Sequence, residues 1–198
     1  MPLLTTQSAK GYGFGSLVAS AAITESYESI QSVTVASGQT YIDFTSIPST
    51  YKHLQIRCTM RRSQAQTFAG SLGVQFNSDT GNNYYTNHRI NGRGDGLVYP
   101  SGGTVTSYGQ IGYIAGNSQR SSLFTPSVVD ILEYTSTNKT KVCRGITGSM
   151  AQSTNTDNDV AIISSMWNST AAINNIRLFP VGSDFVTHTV ISLYGIKG

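Results

Sequence analysis

Three histidines and two cysteines are the side chains best suited to acid–base work or metal binding in this 198-residue chain. His53, His88 and His188 fall in three different strand-like runs, and none has a second ligand at short spacing. That scatter reads as structural or surface histidine. Cys58 and Cys143 also sit inside strand-like runs. Spacing does not decide whether two cysteines pair, and two reduced core thiols are the expectation. The patterns HExxH, GxSxG and the P-loop are absent. "GYGFGS" follows no strand and lacks a phosphate-binding lysine, so it is not a phosphate cradle. "STNTDND" puts Asn155, Asp157 and Asp159 at alternating positions, as a calcium loop begins. It lacks the central glycine and the closing glutamate, so it reads as a polar hairpin tip. "NGRGDG" holds Arg93-Gly94-Asp95 in a glycine-rich turn, which reads as turn chemistry and not as an integrin ligand. The sequons at Asn138 and Asn168 carry meaning only in a secreted chain. No catalytic residue, metal site or cofactor is expected, and an enzyme is the weakest of the functional readings.

Binding is the better prospect. Tyr84, Tyr85, Tyr99, Tyr108 and Tyr113 cluster beside Asn- and Gly-rich turns. Tyrosine faces next to amide donors suit glycan recognition. The plainer reading packs these rings on sheet surfaces with wet hydroxyls, and it ranks first. If host surface glycans are contacted, the segment from Asn82 to Gly116 is the expected place, with Tyr84, Tyr85, Tyr99 and Tyr108 as contacts.

The remaining composition narrows the class. Charged residues make up 12% of the chain, against about 25% in an average soluble domain. Ser, Thr, Asn, Gln and Gly take their place, which suits extracellular β-proteins, sugar binders and virion parts. The net charge of +3 is too mild to argue for nucleic acid. The one basic cluster, "RCTMRR", alternates, so Arg57 and Arg61 are expected on one solvated strand face with Gln55 and Thr59. The opening "MPLLTTQSAKGYGFG" lacks the basic and apolar regions of a secretory signal. No run approaches the roughly 20 apolar residues of a membrane helix. Cytoplasmic synthesis without membrane insertion is expected.

The elements that must hold these residues are strands. "HLQIRCTM" alternates, with Leu54, Ile56, Cys58 and Met60 inward. "LGVQF" repeats the pattern with Leu72, Val74 and Phe76. "NYYTNHRI", "GQIGYIA", "SVVDILEY", "TKVCRGITG", "VAIISSMW", "INNIRLF" and "THTVISLYGI" follow, separated by turn clusters. Strands at this spacing, with no crossover helix, predict an all-β antiparallel sandwich of jelly-roll-like type over residues 31–198. Residues 1–30 differ: "AKGYGFGSLVASAA" has few anchors. They read as an extended N-terminal arm, either a disordered tail or a segment that orders against another protein through Tyr12 and Phe14. "ASAAITESYESI" has the pattern of a short helix. The final strand is apolar on both faces. Ile191 and Leu193 suit a core, while Val190, Tyr194 and Ile196 suit a subunit contact or, alternatively, the interior of a thick monomer.

Three segments bear a resemblance. "FTSIPSTYKHLQIRCTMR" combines an Ile-Pro-x-x-Tyr turn with an alternating strand. "GNNYYTNHRINGRGDG" joins an asparagine-tyrosine segment to a glycine turn. "MWNSTAAINNIRLFPVGSDFVTHTVISLYGIKG" carries a Trp, then "AAI" opening a strand, a Phe-containing turn, and a final strand ending in Leu-Tyr-Gly-Ile. In order and spacing these resemble small structural proteins of tailed bacteriophages, and "LLTTQSAKGYGFG" resembles N-terminal segments of tail and fibre components. The resemblance implies a virion protein with a jelly-roll-like domain, a homotrimer, and no enzymatic activity. That family includes tail fibres and proteins that decorate or cement capsids. The expectation is a short surface appendage, a fibre or knob anchored by its arm, with a capsid cement protein as the alternative and a free lectin third. Its partners would be copies of itself, other virion proteins and host surface glycans.

Overall fold

The alternation of "HLQIRCTM" is realised as β3 (His53–Met60), whose even-numbered residues from Leu54 to Met60 are buried. The computed structural model describes residues 26–65, 70–93, 96–149 and 159–198. Around β3 stand β1 (Tyr27–Thr34), β2 (Ile42–Phe44), β4 (Gly70–Phe76), β5 (Tyr84–Arg93), β6 (Val98–Ser101) and β7 (Thr104–Thr106). Then come β8 (Gly109–Ile114), β9 (Thr125–Leu132), β10 (Lys141–Ser149), β11 (Asp159–Trp167), β12 (Ile176–Pro180) and β13 (Val190–Ile196). There is no helix among the described residues.

The strands form two antiparallel sheets. The wide one has nine strands in the order β1-β13-β3-β9-β10-β11-β5-β6, with β7 also pairing β5. The narrow one has four, in the order β2-β12-β4-β8. The chain is therefore an all-β antiparallel sandwich of jelly-roll-like type. Leu54, Ile56, Val129, Ile131, Ile191 and Leu193 from the wide sheet meet Leu72, Val74, Phe76, Ile176 and Leu178 from the narrow one in a single apolar cluster. Each such side chain contributes about 1.5–3 kcal/mol by leaving water. Beside this cluster β10 and β8 approach so closely that a Cβ on Gly145 would stand 2.0 Å from the Ile111 carbonyl oxygen. Only glycine fits there.

The final strand, β13, lies inside the wide sheet between β1 and β3. Ile191 and Leu193 face the core as expected. Val190, Tyr194 and Ile196 lie half-buried on the outer face. Tyr27 of β1 stacks on Tyr194 at 4.8 Å between ring centroids, and the Arg57 guanidinium sits 6.0 Å from the Tyr194 ring.

Two expectations need correction. The helical pattern over 19–30 fails where it is described: Tyr27–Ile30 belong to β1, because register with β13 outweighs a weak local preference. The remainder of that segment, with Tyr12 and Phe14, lies outside the described residues. Arg61 does not lie on a solvated face with Arg57 but is buried. Past the end of β3 its guanidinium turns inward. It donates to the carbonyls of Asn117 (2.9 Å), Gln119 (3.0 Å) and Leu123 (3.1 Å), and also to that of Arg120. Burial lowers its pKa from the ordinary arginine value, and these carbonyls take the place of water around the cation.

Candidate interaction surfaces

The groups singled out for chemistry do not converge. His53 accepts the Glu133 backbone N–H through Nδ1 at 3.0 Å, and His88 accepts that of Gly103 through Nε2 at 3.3 Å. His188 sits in a turn at φ 72°. Cys58 and Cys143 are free and buried, on strands separated by β9. Burial pushes both thiols up to about 12. Among the described residues no group of three or more His, Cys, Asp or Glu is placed to hold a metal, and no helix is long and apolar enough to cross a membrane. Asn155 and Asp157 of the polar tip, and Gly94 and Asp95 of the turn, lie outside the described residues.

The four tyrosines expected at a glycan contact are dispersed. Tyr84 lies in the core and is out of reach of any ligand. Its hydroxyl accepts the Phe76 N–H at 2.9 Å and donates to the Asp79 carbonyl at 3.2 Å. Burial raises its pKa above the ordinary phenol value. Tyr85 is exposed on the outer face of the wide sheet, opposite Val105. Tyr99 lies on β6, opposite Asn91. Tyr108 meets the Phe179 ring edge-on at 5.6 Å on the narrow sheet.

What the fold does assemble is an apolar outer face on the wide sheet. Strand register sets it out in rows. Val128 pairs with Ile146, Ile146 with Ile162, Ile162 with Ile90, and Ile90 with Pro100. Beyond a polar row of Asp130, Arg144, Ser164 and His88, a second apolar row runs Val142, Met166, Tyr85 and Val105. A third runs Gly148, Val160, Gly92 and Val98. Ile90, Ile146, Val160 and Ile162 each leave between 51% and 64% of their surface bare. Between the first two rows a groove of about 410 Å³ is lined by Leu132, Val142 and Ile162. Its polar edge is closed by Arg144 on Asp130 at 3.0 Å and by Lys139 on Glu133. The half-buried trio Val190, Tyr194 and Ile196, expected at a subunit contact, belongs to the same outer face but is partly covered by neighbouring strands.

The outer face of the narrow sheet is built differently. Arg177 donates to both carboxylate oxygens of Asp43, at 2.8 and 2.7 Å, and its guanidinium lies 3.9 Å from the Tyr41 ring centroid. Phe179 rests on Gly73 of β4, where a Cβ would meet its ring at 2.7 Å. Gln75 is held by a 2.9 Å bond to the Ser107 carbonyl. Tyr41, Gln75, Arg177 and Phe179, with Ser183 and Asp184, line a shallow cleft of about 590 Å³.

No family model matches the chain, and no curated protein matches it. Among solved structures it is similar to the exo-inulinase from Aspergillus awamori, at 12% identity and a TM-score of 0.40; the match covers 86% of this chain and 29% of that one. It is also similar to the Ruminococcus gnavus IT-sialidase CBM40 bound to alpha2,3 sialyllactose, at 11% identity, TM-score 0.30, and 85% and 92% coverage. A third likeness is to the VIP36 exoplasmic/lumenal domain, at 8% identity, TM-score 0.26, and 86% coverage of each chain. The chain spans less than a third of the inulinase. At these scores the likenesses decide nothing about activity, and the fold assignment stands on the sheets and registers themselves.

Proposed function

We propose that the protein is a non-enzymatic structural component of a tailed-phage particle: a short surface appendage anchored by the N-terminal segment that precedes β1 and presented by the β-sandwich. The observation that supports a structural role is the apolar outer face of the wide sheet. Soluble monomers rarely bare contiguous apolar patches above roughly 300–600 Å². Ten side chains here leave a large share of their surface bare: Tyr85, Ile90, Val98, Val105, Val128, Leu132, Val142, Ile146, Val160 and Ile162. Such a face belongs to a protein that works docked. The phage assignment itself comes from the sequence resemblance, and labelling of purified particles with antibody against this chain tests it. Copy number then separates fibre from cement, since a cement protein coats the head in hundreds of copies. Deleting residues 2–20 should abolish attachment while the β-domain stays folded; retained attachment defeats the anchor.

The second reading is carbohydrate binding, and the cleft beside Tyr41, Arg177 and Phe179 favours it. Aromatic rings next to fixed amide and carboxylate groups suit a sugar, whose apolar face stacks on a ring while its hydroxyls meet polar groups. A glycan array with the full chain tests it, with Phe179→Ala as control. Silence of the unmodified protein removes the reading.

A further inference from the structure

We infer that the apolar outer face of the wide sheet docks onto the same face of a second copy of this chain. The pairing is two-fold, with the axis running along β11. This rests on the structural role proposed above and names its partner. Three observations point to a second copy.

The first is symmetry within the face. The row Val128–Ile146–Ile162–Ile90–Pro100 reads alike from both ends about Ile162. Turned over on a two-fold axis at β11, Ile162 meets Ile162 of the second copy, Ile146 meets Ile90, and Val128 meets Pro100. The apolar row beyond Ser164 behaves likewise about Met166, bringing Val142 to Tyr85, while the polar row between them sets Arg144 opposite His88. In the third row Gly148 and Gly92 flank Val160, and each has open space where a Cβ would stand. An isologous interface needs this self-complementarity, and a foreign partner does not.

The second is charge. Asp130 is paired with Arg144, and Glu133 with Lys139 and Lys52. With its carboxylates already answered, the face meets its own copy with little like-charge cost. It also has no strong field of one sign with which to steer a charged partner.

The third is area. Ten partly bare apolar side chains amount to several hundred Å², the scale of the roughly 800 Å² per partner that specific interfaces bury. Two sheets facing at about 10 Å would interdigitate these rows as the inner faces of a sandwich do.

The test is the mass of the full chain by sedimentation over a micromolar dilution series. The expected result is twice 21.2 kDa, with Ile162→Asp raising the dissociation constant about 100-fold or more by setting like charges at the axis. Ile162 is exposed, so the variant should keep its β circular dichroism. A positive control uses Ile162→Cys, which under mild oxidation should give a covalent dimer; buried Cys58 and Cys143 do not compete. A wild-type chain that stays monomeric, a trimeric mass, or Ile162→Cys that fails to cross-link overturns the inference. The first of these leaves the face to a different virion protein. Particle labelling is independent of all three, so the structural role and the self-pairing fail separately.

Discussion

The two outward faces of the sandwich make opposite use of one architecture. On the narrow sheet the side chains beside the cleft find partners within the chain: Arg177 in Asp43 and Tyr41, Gln75 in the Ser107 carbonyl, and Phe179 in its bed on Gly73 and in Tyr108. On the wide sheet the side chains that meet water include Ile90, Ile146, Val160 and Ile162. Meanwhile three cations, Arg61, Arg62 and Lys141, are buried. Lys141 donates to the carbonyls of Lys139 at 2.8 Å, Thr170 at 3.2 Å and Ser136 at 2.5 Å. The narrow face is finished as a surface; the wide face, on the pairing proposed above, is finished by a partner. That contrast predicts how stability and assembly separate under mutation.

The largest loss should come where both faces share a layer. Gly145→Ala drives a methyl into the Ile111 carbonyl, forces the sheets apart, and should cost about 3 kcal/mol. Denaturant unfolding of Gly145→Ala measures it, and a loss too small to resolve would show that the sheets yield there. The seam at the β4–β5 turn comes next. Asp79 accepts Trp167 Nε1 at 2.7 Å, the Gly81 N–H at 2.8 Å and Asn83 Nδ2 at 3.0 Å. Burial pushes its carboxyl pKa up, but these hydrogen bonds outweigh burial, and the net pKa lies below the ordinary carboxylate value. The folded state thus binds this proton less readily than the unfolded chain. The stabilisation is complete above the ordinary carboxylate pKa and fades as pH falls through the lowered folded one. Asp79→Asn should cost about 1–2 kcal/mol at neutral pH and flatten the acid limb of stability against pH. An unchanged limb would assign the acid sensitivity elsewhere, for instance to Glu28 or Glu133, whose pKa values are also lowered by hydrogen bonds from Lys197 and Lys139.

How much of this was legible follows from periodicity. β3 and β4 alternate cleanly in the sequence, so the pattern alone places Leu54, Ile56, Leu72 and Val74 inside. β9 and β11 are apolar at both parities, in "SVVDIL" and "VAII". Alternation therefore could not say that Val128 and Ile162 face out while Val129 and Ile163 face in; register against neighbouring strands decides it. Tyr84 and Tyr85 look equivalent in sequence, yet adjacent residues of a strand take opposite faces, and a register shift between Ser164 and Met166 intervenes on the pairing strand. Arg61 continues the alternation of β3, and only the distant carbonyls of the 117–123 loop turn it inward. The Tyr41–Arg177–Phe179 cleft gathers residues more than a hundred positions apart, and no local pattern carried it.

The contrast between the faces is sharpened by two smaller lesions. On the narrow face, Arg177→Ala removes a two-point contact to Asp43 and the stacking on Tyr41. Both charged partners are about a third exposed, so solvent screening limits the loss to about 1 kcal/mol. A lowered melting temperature with unchanged mass is expected, because that face has its partners within the chain. On the wide face, Ile146→Thr should do the reverse. Threonine keeps the β-branch and the strand preference, and Ile146 is half bare, so the dilute chain should change by no more than about 0.5 kcal/mol. The apolar row nevertheless loses a member opposite Ile90 of the second copy, and association measured by sedimentation should weaken several-fold. If Ile146→Thr instead lowered the melting temperature of the dilute chain as much as Arg177→Ala does, the wide face would be contributing to the monomer's own stability, and its bare side chains would need no partner to explain them.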